Sequence, residues 1–504
     1  MPAPTVAAQA SGGMAQVTQV STPSADQPGS VGSAGRSRTR GPIEGPGPTG
    51  PIERLMSTVI RKLAWSRLSD PKVAIAVSGV GLLLGMLVGA TAPNVETLPI
   101  RLPLSYLLPS LGGHGIVGDV VATALLYTGD ILACLGLAGM LWAHSQGWRP
   151  DPRRLLLVSA GIVAVMVSFT PVGSSDTASY AAYGRIASQG GNPYIISPHA
   201  WGDVAYTHVI GSAWKNTPSV YGPVATMIQS FAAWIGGPHV AITIWILMIL
   251  NGAVFIGVGV LLLKTSDDPV RATLFWVANP VLIQQLVSGG HLDTFVAATA
   301  ICAIQVARRV SGRWGDVLVG VLIGLACGIK ITALLVALGL AWPLLRRHEW
   351  MRTTRIAVVA LVTVALEYSF YGFDSLKPLL SASKLVALPS PWRLLQMVAE
   401  ALGAHLSTTA TVISFLWPIA LIGVAWLIYR RISSDQPREV VAPFALTFAW
   451  ILVAPWVFPW YTAMAWVTLT QVPRNRMTRW LAIVTVLLAL WRSGGGQGTP
   501  VWLR

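Results

Sequence analysis

Charge is what this 504-residue sequence has least of: Asp, Glu, Lys and Arg make up 11% of it, against about 25% in a soluble domain. With hydrophobic residues at 53% and a mean hydropathy of +0.60, that shortage excludes a soluble globule. Acidic residues are the scarcer sign, 20 against 35 basic ones, for a net charge of +15. In a soluble chain this excess would point to nucleic acid. Here the basic residues sit in short clusters between apolar runs, the placement that fixes membrane topology, and no nucleic-acid partner is expected. Cysteine is nearly absent: Cys134, Cys302 and Cys327 lie inside apolar runs with no CxxC pair or His cluster, which excludes a disulfide framework and a zinc site. A GxxxxGK[ST] loop, a G-x-S-x-G elbow, HExxH and a strand-borne GxGxxG are also missing, so cytosolic nucleotide-sugar chemistry has no support.

What the sequence does have is apolar runs of about 15 to 27 residues, repeated from 74–92 to 480–491, and about 20 such residues cross one bilayer core as a helix. The expected fold is an all-α polytopic membrane protein, a bundle of about thirteen transmembrane helices over residues 74–491. Residues 1–52, rich in Ala, Ser, Gly, Pro and Thr, read as a disordered tail. They contain no apolar h-region, so the first span is expected to serve as the insertion signal. Residues 53–73 suggest an interfacial helix, and 492–504 form a C-terminal tail. With the N-terminus cytoplasmic, 26 of the 35 basic residues fall inside and 8 outside, with Lys330 in the membrane. Two long loops, about 173–236 and 372–410, are then extracytoplasmic, and the polar chemistry gathers there.

The first of these loops opens with Asp176, followed by Tyr180, Tyr183 and Arg185 at spacings suited to one side of a helix lying along the membrane surface. A carboxylate there can take a proton from a hydroxyl; it can also merely cap the helix, since S-S-D-T is good N-cap composition. His291 and Asp293 occupy a short outer turn, SGGHLDTF, whose glycines permit close backbone approach. Lys330, in ACGIKITALL, is a cation within an apolar hairpin, and a buried ammonium needs a partner; Asp130 or Glu367 is a candidate, as is snorkelling to an interface. Lys377, Lys384 and Arg393 in the second loop suit an anionic lipid head group or are ordinary solvated charges, Arg393 being favoured because its fork binds phosphate through two bonds. Trp460 and Tyr461, in PWVFPWY, fit a membrane-interface belt or a sugar-stacking wall.

In order, Asp176-x3-Tyr180, Gly184-Arg185, Gly-x-Asn192-Pro-Tyr194, Trp201, Pro-Ser-x-Tyr221-Gly-Pro, Asn279-Pro280 and Gly-Gly-His291-x-Asp293 resemble the polyprenyl-phosphomannose-dependent alpha-1,6-mannosyltransferases of actinobacteria, integral-membrane glycosyltransferases of the GT-C type. The likeness runs from about Gly173 to Lys330 and more weakly to Trp460-Tyr461; Leu292 departs from the Asn expected between His and the acid. The resemblance implies transfer of mannose from polyprenyl-phosphate-mannose to a cell-envelope glycan or glycolipid on the outer face of the plasma membrane, with inversion. Asp176 would then be the general base. Tyr180, Arg185, Asn192, Tyr194, Tyr221, His291, Asp293, Lys330, Arg393, Trp460 and Tyr461 would bind donor or acceptor. The lipid-linked sugar is itself the donor, and no separate cofactor or metal is expected, since Asp176, Asp203 and Asp293 are scattered in sequence. The competing reading is a secondary transporter or lipid-linked-sugar flippase, with Asp130, Lys330 and Glu367 as coupling groups; it lacks the internal repeat that such proteins show. Another lipid-linked sugar as donor is also open.

Overall fold

The computed structural model describes residues 69–212, 214–382, 385–388, 390–432 and 438–491. The expected N-terminal tail, residues 53–68 of the 53–73 segment, Lys384 and the 492–504 tail lie outside the described residues. Among the described residues fifteen helices of eight residues or more follow one another: α1 Pro71–Ala90, α2 Gly115–Ser145, α3 Pro152–Met166, α4 Asp176–Ser188, α5 Pro223–Gly236, α6 Val240–Thr265, α7 Asp293–Arg309, α8 Gly312–Ile329, α9 Leu334–Arg346, α10 Trp350–Ser369, α11 Pro391–Ala401, α12 Leu406–Arg431, α13 Arg438–Val453, α14 Thr462–Leu469 and α15 Met477–Trp491. Among the described residues there is no strand, only one isolated bridge between Thr97 and Val172.

Helix starts follow from capping chemistry. Asp70 accepts from the Lys72 amide (2.9 Å) and Asp151 from the Arg153 amide (2.8 Å), each with Pro at the first helical position, where a missing N–H costs nothing. Lipid gives no hydrophobic drive to helix pairing, so small residues that allow close approach must supply it. At the α1/α2 contact a Cβ on Gly81 would stand 2.7 Å from the Gly129 carbonyl, and one on Gly136 2.1 Å from Ser78 Oγ.

Every expected apolar run contains a helix, but fewer than thirteen of these helices are long and apolar enough to cross a membrane alone. Among the described residues five helices are long and apolar enough to cross a membrane, or six if the bent pair Trp350–Ser369 and Asp374–Leu380 is one span. The others are short because polar and helix-breaking residues interrupt them. The run at 272–288 stops at Phe275, restarts at Pro280 with Asn279 Oδ1 accepting from the Val281 and Leu282 amides, and becomes a π-helix over Ile283–Ser288. All of this segment is buried, and irregular backbone at membrane depth is tolerated only inside protein.

The segment expected as an outer loop at 173–236 is largely helical. α4 is not a surface helix with one wet side: residues 177–184 are all buried, because α5 packs so closely that a Cβ on Gly184 would meet the Gln229 carbonyl at 2.2 Å. Two further short helices, Pro198–Trp201 and Val204–His208, complete the segment.

Candidate active site

Three helix ends converge on one cluster. Asp176 and Asp293 are each the first residue of a helix, α4 and α7, where unpaired amides and the positive end of the helix dipole favour a carboxylate. Lys330 follows the last residue of α8 in an extended conformation, φ −154° and ψ 128°, at that helix's negative end.

The turn before α7 brings the first pair together. Gly290 sits at φ 68°, and a Cβ there would lie 2.4 Å from Thr177 Cγ2 and 2.6 Å from Met248 Sδ, so only glycine lets this turn seat against α4. His291 Nδ1 then comes within 3.3 Å of Asp176 Oδ2, out of line for a hydrogen bond, which leaves that nitrogen without a donor or acceptor partner among the described residues. The imidazole lies flat on Trp460, ring centroids 3.7 Å apart at 11°, and Trp460 in turn stacks on Phe458 at 4.8 Å. Asn251, midway along α6, donates to the His291 carbonyl at 2.6 Å and accepts from Thr294 at 3.3 Å.

The second pair is Lys330 and Asp293: Nζ donates to both carboxylate oxygens, at 3.0 and 3.1 Å, and lies 3.8 Å from the Tyr461 ring centroid. The sequence left Asp130 or Glu367 as the lysine's partner; Asp293 takes that place because the Gly-Gly turn carries the start of α7 to the α8 break. Asp293 therefore holds Lys330 rather than orienting His291. Trp460 and Tyr461 are 7% and 9% exposed and are not a lipid-facing belt.

In each pair one side chain stands in front and one behind. Asp176 and Lys330 are 21% and 14% exposed, whereas His291 and Asp293 are 1% and 2% exposed. A molecule entering the cluster meets a carboxylate and an ammonium, each backed by a buried partner. Tyr180 donates to Asp176 Oδ2 at 3.3 Å, and Tyr221 stands edge-on to Tyr180 at 5.0 Å. Burial alone would raise the Asp176 pKa, but His291, Lys330 and the Tyr180 hydroxyl outweigh it and hold the carboxyl below its usual range. Burial, with the neighbouring Tyr221 and Asp176, drives the Tyr180 hydroxyl well above its ordinary value, so it remains a donor.

The remaining residues that the sequence singled out engage other partners. Arg185 pairs with Asp203 at 3.0 Å and lies over the Tyr206 ring. Asn192 donates to the Tyr371 carbonyl at 3.0 Å, joining the 173–236 segment to the residues after α10. Tyr194 is buried, sharing a hydrogen bond with Thr226 at 2.8 Å and packing on Tyr371. Arg393 bonds Gln396 and Glu400 along α11, at 2.7 and 3.1 Å. Asn251 was missed, although a lone amide in the apolar run LMILNGAVF carries the signal that a polar group within a span marks function. Among the described residues no group of three or more His, Cys, Asp or Glu is placed to hold a metal ion.

An all-helical bundle with an ionised acid and a carboxylate-braced ammonium at its interrupted helices defines a polytopic membrane enzyme. Residues 73–346, which include both charged pairs, match the family described as Alpha-(1->6)-mannopyranosyltransferase, N-terminal domain; the chain belongs to this family and is a mannosyltransferase. It is 25% identical to Alpha-(1->6)-mannopyranosyltransferase A of Mycobacterium tuberculosis over 424 residues, 78% of this chain and 79% of that protein. The protein of the same name from Corynebacterium glutamicum is 23% identical over 453 residues, 76% of this chain and 91% of the relative. Alpha-(1->6)-mannopyranosyltransferase B of the same organism is 26% identical over 341 residues, 61% and 53% of the two chains. No solved structure matches the chain.

Proposed function

We propose that this enzyme moves mannose from polyprenyl-phosphate-mannose to a hydroxyl of an alpha-1,6-mannan-like glycan or glycolipid, on the extracytoplasmic face of the plasma membrane, in one inverting displacement. The observation that carries this reading is the pairing of partly exposed Asp176 and Lys330, each backed by a buried partner. The acceptor oxygen attacks the anomeric carbon as its proton passes to Asp176. The bond from that carbon to the phosphate oxygen breaks, and the polyprenyl phosphate leaves with the electron pair. Lys330 offsets the phosphate charge through charge-assisted hydrogen bonds. His291 and Asp293 keep the two front groups in place, Trp460 and Tyr461 back His291 and Lys330 through their ring faces, and partly buried Tyr221 offers an aromatic surface that suits a sugar ring. Asp176, kept ionised, is ready to accept a proton, and such assistance contributes about 10²–10⁴-fold in rate.

The test incubates membranes containing the enzyme with radiolabelled polyprenyl-phosphomannose and short mannoside acceptors, and determines the linkage and anomeric configuration of the product. Transfer with inversion supports the reading. Transfer from a soluble nucleotide sugar, or from another lipid-linked sugar only, overturns it.

A further inference from the structure

The far ends of the helices that carry the candidate site enclose a second, unrelated feature. α7 starts at Asp293 and ends at Arg308 and Arg309; α8 starts at Gly312 and ends before Lys330. At about 1.5 Å per residue, helices of 17 and 18 residues place the α7/α8 turn about 26 Å from the Asp293–Lys330 pair, roughly a bilayer core away. There, between that turn and the start of α10, lies a cavity of about 640 Å³ whose lining includes Arg308, Arg309, Arg313, Arg352 and Arg355 against only Asp316 and Glu349.

These charges are unequally engaged. Arg352 and Arg355 both bond Asp316, and Arg352 also bonds Glu349. Arg308 reaches Asp267 and Gln471. Among the described residues Arg309 meets only the Thr265 carbonyl, which leaves its charge uncompensated. Arg313 is exposed and has no hydrogen-bond or ion-pair partner among the described residues. With Arg308 set against Asp267, and Arg352 and Arg355 against Asp316 and Glu349, the cavity keeps a net positive charge of about two, on the Arg309 and Arg313 guanidinium forks, a shape suited to phosphate oxygens. His348, at its edge, holds a left-handed φ of 58°, which is uncommon outside glycine.

The rim indicates what would bring the anion. Trp314, Met351 and Trp350 are 80%, 78% and 57% exposed beside the arginines. Tryptophans beside arginines mark the level of lipid head groups, and exposed apolar side chains at that level offer a surface to the upper part of acyl chains.

We propose that this cavity binds the phosphate-bearing head group of an anionic phospholipid in the leaflet opposite the candidate active site. The acyl chains run along Trp314 and Met351, and the head group enters between Arg309 and Arg313.

The purified full-length enzyme in neutral detergent is titrated with phosphatidylglycerol, with phosphatidylcholine of the same acyl chains, and with inorganic phosphate. Thermal stability and native mass spectrometry read binding. Phosphatidylglycerol alone should bind and stabilise. Arg313→Glu should weaken it by about tenfold or more, since each basic residue near a membrane surface adds roughly fivefold. Arg154→Glu reverses the charge of an α3 side chain that is 87% exposed and reaches only its neighbour Asp151 among the described residues, and it should change binding less than twofold. Arg313→Ala, which leaves no contact unmade, repeats the measurement should the reversed charge impair folding. Equal effects at positions 313 and 154 would replace a site with diffuse surface charge and overturn the proposal. So would equal binding of the two lipids, or equal stabilisation by millimolar phosphate.

Discussion

A carboxylate at the first turn of a helix has two explanations, capping and catalysis, and a substitution at Asp176 separates them. Its side chain accepts from Tyr180 and faces His291, whereas its own amide is bonded by Ser174. Asp176→Asn keeps the size and capping capacity but not the basicity. Turnover should fall at least about a hundredfold while expression and donor binding stay normal; retention of more than a tenth of wild-type turnover would remove Asp176 as the base. The depressed pKa fixes a pH dependence as well. A carboxyl lowered in the folded state is ionised above that value and loses its charge, with its share of stability, only as pH falls through it, below the usual carboxylate range of about 3.9. Turnover against pH should therefore show no acid limb from Asp176 between about pH 5 and 8; an acid limb in that window that disappears in the Asn variant would contradict an ionised base. The Lys330–Asp293 pair tests differently. Lys330→Met strands a buried carboxylate, which typically costs about 3–5 kcal/mol. Adding Asp293→Asn should restore thermal stability but not turnover, and recovery of both would demote the pair to structure.

At the scale of elements, the site depends on how closely helix ends approach. Gly222 donates its amide to the Ile329 carbonyl at 3.1 Å, and a Cβ on it would stand 2.2 Å from the Gly328 carbonyl, so the loop behind Tyr221 rests on the last turn of α8. Gly222→Ala should destabilise by about 1–3 kcal/mol through overpacking and depress turnover by shifting Lys330. Gly257→Ala in α6, with open space around the new Cβ, should be neutral or slightly stabilising in the same melting measurement. The sequence made legible the apolar runs, the break at Lys330 and the short motifs that hold Asp176, His291 and Asp293. It did not reveal partners, because Lys330 and Asp293 are separated by 37 residues and their meeting depends on where α7 and α8 turn back. Nor did it show that 173–236 is packed helix: α4 is rich in Ala, Ser and Tyr and has a weak apolar stripe, and α5 was read as part of a loop although its sequence, PVATMIQSFAAWIG, is apolar. Arg185 and Asn192 sit in the family-like motifs yet bond Asp203 and the Tyr371 carbonyl, a distinction that spacing cannot draw.

At the scale of the molecule, the candidate site and the arginine cavity occupy opposite ends of α7 and α8. A cysteine at Ala200, exposed in the 173–236 segment, should be labelled by an impermeant thiol reagent from outside intact cells, and one at exposed Ser311 only after permeabilisation. The reverse pattern would move the chemistry to the cytoplasm. The antiparallel pair α7 and α8 also sets the distance between the candidate site and the arginine cavity. Helices of 17 and 18 residues reach about 25–27 Å even when upright, less than a typical hydrocarbon core of about 30 Å, and tilt shortens that reach. If Arg308 and Arg309 are anchored at one surface, Asp293 and Lys330 come to rest slightly below the other, the level at which the proposed lipid-linked donor would present its phosphate and to which a water-soluble acceptor would have to descend. A bilayer thickened by longer acyl chains would bury that level deeper or force local thinning. Reconstituted into membranes of increasing chain length, the enzyme should keep its affinity for the lipid donor while its KM for a water-soluble acceptor rises.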